Sequence, residues 1–346
     1  EKAKIAIKEY KKCLLIVIIM EKRGFEFSFN WIFALIAGAA ILFIAIYASG
    51  KFLNTGEFQQ STETAKKLTT LFEPLGVQGL GEARTGKISL QSDIKIYSDC
   101  FTDGSLGRQR ISIAEKKSFN DKEYGDKGVG IEFSNKYIFF TEESEGREFD
   151  YFTKSLNLPF KTANLLVITD KNYCFVKPPR FVEDEINDLG MKNIIIKETV
   201  GDCIKNMTMI NKSQVVCFDT GSTNTCGSMV TDTSGAGEEK YSRGYVNSPS
   251  GTKYFVKELL YPAIFSKKTD YECNVKRIMM RTSNLAKLYT EKSKLLSIRG
   301  VCESGQETAL LTLDTAARTL RTSQDLSGVK SIADGINQNG ICELWN

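Results

Sequence analysis

The residues best placed to do chemistry are Asp219-Thr220-Gly221-Ser222, where the apolar run Val215-Val216-Cys217-Phe218 ends in an acid, a hydroxyl and a glycine. An aspartate at the tip of a strand can hold a water for attack on a carbonyl when a second carboxylate shares its proton. No second Asp-Thr-Gly or Asp-Ser-Gly follows: Asp232-Thr-Ser-Gly235 has an extra residue, and Asp314-Thr-Ala316 lacks the glycine. The chain contains no histidine. This removes Ser-His-Asp and Cys-His nucleophiles, histidine-bound metals and the commonest general base.

Two further patterns are weaker. Gly81-Glu-Ala-Arg-Thr-Gly86-Lys87 fits a phosphate loop, but Ile88 stands where magnesium needs a hydroxyl, and a strand follows where a helix should. Ser250-Gly-Thr-Lys253 matches the serine acyl-enzyme pattern without its helix or companion motifs. The Asp219 loop resembles the active-site loop of aspartic proteases. That resemblance implies a membrane-tethered peptidase using Asp219, Thr220 and Gly221, with the second aspartate supplied by dimerisation. Cys217 and Cys226 bracket the motif closely enough to form a disulfide, which instead makes it a turn. No cofactor or metal is implied.

The element that governs the rest is Phe27 to Gly50, 24 residues without a charge. A helix needs about 20 apolar residues to cross a bilayer. Lys22, Arg23 and five lysines upstream precede it and only Lys51 follows closely, so the N-terminus is expected in the cytoplasm and the remainder outside. Cysteine parity agrees. Cys13 precedes the span, and eight follow it: Cys100, Cys174, Cys203, Cys217, Cys226, Cys273, Cys302 and Cys342. An even set beyond a membrane predicts four disulfides, one of 105 possible pairings. Asn206-Met-Thr208 and Asn211-Lys-Ser213 are candidate glycosylation sites on that side.

Translation is expected to start at Met20, because Glu1 opens the chain and the apolar run Leu14 to Met20 is too short to span. Residues 1–24 carry the whole formal charge of +4, leaving 39 basic and 39 acidic residues beyond them. No global field therefore favours nucleic acid. Met20-Glu-Lys-Arg-Gly24-Phe25 resembles the leader of type IV pilin-like proteins, especially archaeal ones, over about residues 20–75. The resemblance implies cleavage between Gly24 and Phe25 and assembly through the N-terminal helix. The bacterial pattern has a glutamate at the fifth mature position; here it is Phe29, with Glu26 nearby.

The expected order is a leader or mis-annotated start (1–24), a transmembrane helix (25–50), an amphipathic stalk and linker (51–81), a β-rich part (82–150), an α/β part (151–266) and a helical C-terminal part (267–346). Lys87–Leu90, Ile94–Tyr97, Gly130–Phe133 and Tyr137–Phe140 read as strands. Leu165–Ile168, Tyr173–Val176, a helix from Pro178-Pro179 to Leu189 and Asn193–Ile196 follow in βαβ-like order. Gly221 to Gly251 reads as a mobile Gly/Ser-rich loop between strands at Val215–Phe218 and Lys253–Val256. Helices are expected at Asn274–Ile298, Glu307–Leu320 and Asp325–Ile336. Lys276, Arg277 and Arg281 read as a solvated basic face, and Glu183-Asp184-Glu185 as an acidic first turn.

The sequence therefore describes a disulfide-containing α/β ectodomain, or α+β, on a single N-terminal membrane helix. The expected function is a membrane-anchored extracytoplasmic structural or interaction protein, pilin-like or signal-anchored, whose partners are the membrane and other envelope or surface proteins. An aspartic peptidase and an α/β ligand-binding receptor module are the alternatives.

Overall fold

A computed structural model describes residues 31–49, 84–116, 123–141, 144–207, 212–219, 225–301, 305–338 and 344–345. Met20, the Gly24–Phe25 cleavage point, the stalk at 51–81, Asn211, Thr220, Gly221, Cys302 and Cys342 lie outside these residues. The chain divides into two compact units at residue 56.

In the first unit, α1 (Trp31–Ser49) has a mean hydropathy of 2.4 and buries none of its apolar window in protein. Its large side chains, among them Trp31, Phe33, Phe43 and Tyr47, are exposed. Length and composition suffice to cross a membrane, and a signal sequence would meet the same criterion.

The second unit holds two six-stranded sheets. The first comprises β1 (Arg84–Phe101), β2 (Arg108–Glu115), β3 (Ile131–Phe133), β4 (Tyr137–Phe140), β5 (Glu145–Asn157) and β6 (Lys161–Thr169), in the order β3-β2-β1-β5-β6-β4. It extends to Thr169, so β5 runs through the expected boundary at residue 150. All its pairings are antiparallel except β4 with β6. Ile88, Ile94, Ile111, Ile113, Ile138, Phe140, Phe149 and Ile168, drawn from five strands, form a core of their own. With no helix in that cluster, the sheet must curl on itself, and one contact records the closure. The Gln109 side chain of β2 donates to the Ile138 carbonyl of β4 at 2.7 Å and accepts its N–H at 3.2 Å. A side-chain amide thus takes the place of a missing strand at a buried edge, where the Ile138 carbonyl also accepts the Asn274 amide at 3.1 Å.

The second sheet comprises β7 (Asn172–Val176), β8 (Ile194–Lys197), β9 (Ser213–Phe218), β10 (Ser228–Asp232), β11 (Arg243–Ser248) and β12 (Gly251–Val256), in the order β12-β11-β10-β9-β7-β8. Strands β8, β7, β9 and β10 are parallel, and β11 and β12 extend them as an antiparallel hairpin. Strands β10 and β11 occupy the stretch expected as a mobile loop. Its glycines and serines hid the strands because half of their pairing partners are polar: Asp232 pairs with Gly244 and Met229 with Asn247.

Helix α2 (Arg180–Asp188) joins β7 to β8, and α3 (Val200–Met207) joins β8 to β9. Gly190, at φ 61°, follows α2 in the left-handed region that favours glycine. The two helices cover opposite faces. Val182 and Ile186 of α2 join the central core with Tyr173, Phe175, Val216 and Phe218, whereas Cys203 of α3 packs with Cys174, Val176 and Cys217. This is the period-2 alternation of strands buried on both sides.

Helix α4 (Leu260–Phe265) is buried at all six residues, as a helix apolar all round must be. Its Phe265 meets Phe152 of the first sheet at 5.4 Å and Tyr173 of the second at 4.5 Å between ring centroids. The 31-residue α5 (Lys268–Ile298), α6 (Glu307–Thr319) and α7 (Leu326–Gln338) complete the central core. Arg277 of α5 corrects the expected solvated face, since it is fully buried. Its guanidinium donates to the carbonyls of Phe133 and Ser134 and to Asn274 Oδ1 and lies 5.0 Å from the Tyr137 ring.

Among the described residues three disulfides cross this unit: Cys100–Cys273 ties β1 to α5, Cys174–Cys203 ties β7 to α3, and Cys217–Cys226 ties β9 to the approach to β10.

Candidate functional site

The four parallel strands place their carboxyl ends on one edge of the second sheet. From β7 the chain moves to β8 on one side and then returns past β7 to β9, so the strand order reverses between β7 and β9. In open parallel sheets this is where ligands bind, outside the carboxyl ends of the strands. Asp219 follows β9 directly, Phe181 stands in the first turn of α2 after β7, and Tyr241 lies in the β10–β11 connection. Strand β12 runs back to the same edge and delivers Glu258 just beyond its end.

Asp219 adopts φ 48°, a conformation in which Asp and Asn are enriched. Its Oδ1 accepts the Asp232 N–H at 3.1 Å, and its Oδ2 accepts the Tyr241 hydroxyl at 2.7 Å. Asp232 Oδ1 in turn accepts the N–H groups of Ser234 and Tyr241 at 2.9 and 3.0 Å. Both aspartates therefore organise the β10–β11 connection. Burial, reinforced by the Asp219 carboxylate, pushes the Tyr241 phenol well up, so it remains a proton donor. Among the described residues neither hydrogen-bond partner of the Asp219 side chain is a carboxyl group. The Cys217–Cys226 disulfide closes the loop around it.

Beside this turn a cleft of about 490 Å³ opens among Lys154, Phe181, Tyr241, Glu258, Tyr261 and Lys330. Its volume lies within the range of small-molecule sites. Glu185, on α2, accepts hydrogen bonds from both Lys154 and Tyr261. Lys154 Nζ also lies 4.9 Å from the Tyr261 ring centre. The Tyr261 phenol is pushed up by burial and by Glu185. The Glu258 carboxyl is pushed up chiefly by burial, and its Oε2 is buried with no hydrogen-bond partner among the described residues.

A second cleft, of about 400 Å³, lies at the amino edge and includes Lys171, Lys212, Ser250 and Lys253. It contains the Ser-x-x-Lys pair, but on a hairpin rather than a helix. Ser250 Oγ accepts the Lys268 N–H at 3.2 Å, and the buried Lys253 ammonium donates to the Ser266 carbonyl. Thr85, Gly86 and Lys87 lie within β1, so no helix follows them to hold a phosphate. Asn206 is exposed on α3, where its amide donates to the Asp202 carbonyl at 2.7 Å. No group of three or more potential metal ligands occurs among the described residues.

Sequence reasoning found Asp219 but missed Phe181, Tyr241, Glu185 and Glu258. The βαβ order already implied a carboxyl edge. Which later residues reach that edge depends on β10, β11 and β12, two of which were hidden in the Gly/Ser-rich stretch. No protein-family model matches this chain, and no curated protein and no solved structure matches it either.

Proposed function

We propose that this protein is anchored in a membrane through Trp31–Ser49 and carries its α/β unit on the extracytoplasmic side, where it acts by binding, as a component of the cell surface or envelope. The observation that carries this reading is an apolar helix with its side chains exposed, in the same chain as three disulfides. Disulfides persist in oxidising compartments, and an exposed apolar helix of this length is at home in lipid. The leader-like Met20 to Phe25 supports pilin-type processing within this reading.

Carbonate extraction of membranes should leave the protein in the pellet, and recovery in the soluble fraction would overturn the anchor. Mass analysis of the mature N-terminus should find Phe25 if the leader is processed; an intact leader would leave a plain signal anchor.

A ligand-binding module is the second reading, favoured by the cleft at the strand-order reversal. The peptidase has less support, because Asp219 uses one oxygen on a backbone N–H and the other on a phenol.

A further inference from the structure

We propose that the carboxyl-edge cleft binds a neutral, polyhydroxylated ligand of the carbohydrate class. The inference rests on reading that cleft as a ligand site and is independent of the membrane anchor. Three features of the cleft point to this chemistry.

The first is its charge balance. Lys154 is paired with Glu185, Lys257 and Lys330 share Asp334, and Glu238 is paired with Arg243. Adjacent Glu239 and Lys240 have opposite signs. Most of the charged groups at the cleft are thus already engaged within the protein, whereas a neutral polyol needs only donors and acceptors. The second is Phe181, a residue 37% exposed that lines the cleft, its ring 6.4 Å from that of Tyr241. An aromatic face with a negative quadrupole suits the C–H face of a sugar ring. The third is Glu258 Oε2, a buried acceptor in the cleft lining that lacks a partner among the described residues. Leaving such a group unpaired is costly, and a ligand hydroxyl would relieve it.

The test uses the full chain, solubilised in a detergent without a sugar headgroup, and isothermal titration with chitotetraose, cellotetraose and mannotriose. Inorganic phosphate, citrate and spermine serve as charged probes. At least one neutral oligosaccharide should bind. Phe181→Ala and Glu258→Leu should each weaken that binding about tenfold or more, because each removes one of the two proposed contacts. Circular dichroism and the melting transition establish that each variant is folded, and if one variant fails to fold the other decides. The proposal is overturned if no neutral oligosaccharide binds, if only charged probes bind, or if folded variants bind like the parent. Membrane retention of the protein is read separately, so failure here leaves the anchor untouched, and the reverse.

Discussion

Single residues of α5 show how burial decides a side chain's role. Arg277 lies on a helix among lysines, yet the curl of the first sheet brings the carbonyls of Phe133 and Ser134 over it. Burial pushes its guanidinium down to about 10, which still leaves it charged at neutral pH. Arg277→Met should destabilise the protein by at least ~2 kcal/mol in urea unfolding, because two partly buried carbonyls and the buried Asn274 lose a donor; a loss below ~0.5 kcal/mol would show that these groups find other partners. Asp270, also buried on α5, has its carboxyl pushed up to about 6 from 3.8, with burial outweighing Lys267. Protonation therefore favours the fold: the Asp270 contribution is complete below pH 3.8 and is lost as pH rises through about 6. Asp270→Asn should abolish that decline, changing the stability difference from the parent by up to about 3 kcal/mol between acid and neutral pH. A pH-independent difference would refute the assignment. The sequence displayed both residues but not what would fold over them.

At the scale of elements, strand and helix periods were legible wherever apolar residues set them. The expected strands at 87–90, 94–97, 137–140, 165–168, 173–176, 215–218 and 253–256 all fall within observed strands, and the Pro-initiated helix ends at Gly190. Strands β10 and β11 were invisible because close approach rather than hydrophobicity fixes them. At Gly244 an added Cβ would lie 2.2 Å from the Thr231 carbonyl and 2.8 Å from the Phe255 ring. Gly244→Ala should therefore disrupt the β10–β11–β12 hairpin, lowering the melting temperature and amide-exchange protection there, while an unchanged melt would contradict this tight approach. The disulfides couple elements distant in sequence. Their separations of 173, 29 and 9 residues rank Cys100–Cys273 first in chain-entropy stabilisation, at about 5 kcal/mol against about 4 and 3 for the others. Replacing each pair by serine and measuring unfolding tests that order, and an inverted ranking would mean that local packing, not loop closure, dominates.

For the whole molecule, the two units make separate demands on solvent. Helix α1 offers Trp31, Phe33, Phe43 and other apolar side chains to its surroundings, whereas the α/β unit buries its own core. Deleting residues 31–49 should release a folded, disulfide-bonded α/β unit into the soluble fraction; continued membrane retention would locate the attachment elsewhere in the chain. The sequence alone determined the apolar helix, the excess of cysteines beyond it, the exclusion of histidine chemistry and most strands, because these depend on composition and on local period. Only the tertiary structure decided which of the described cysteines pair, why Arg277 is buried, that the Asp219 carboxylate is bonded to Tyr241, and that Phe181 and Glu258 share a cleft. Those outcomes come from residues tens of positions apart meeting through strand order and sheet curvature. No local pattern encodes such a meeting, since it is set by the packing of elements whose order in space differs from their order in the chain.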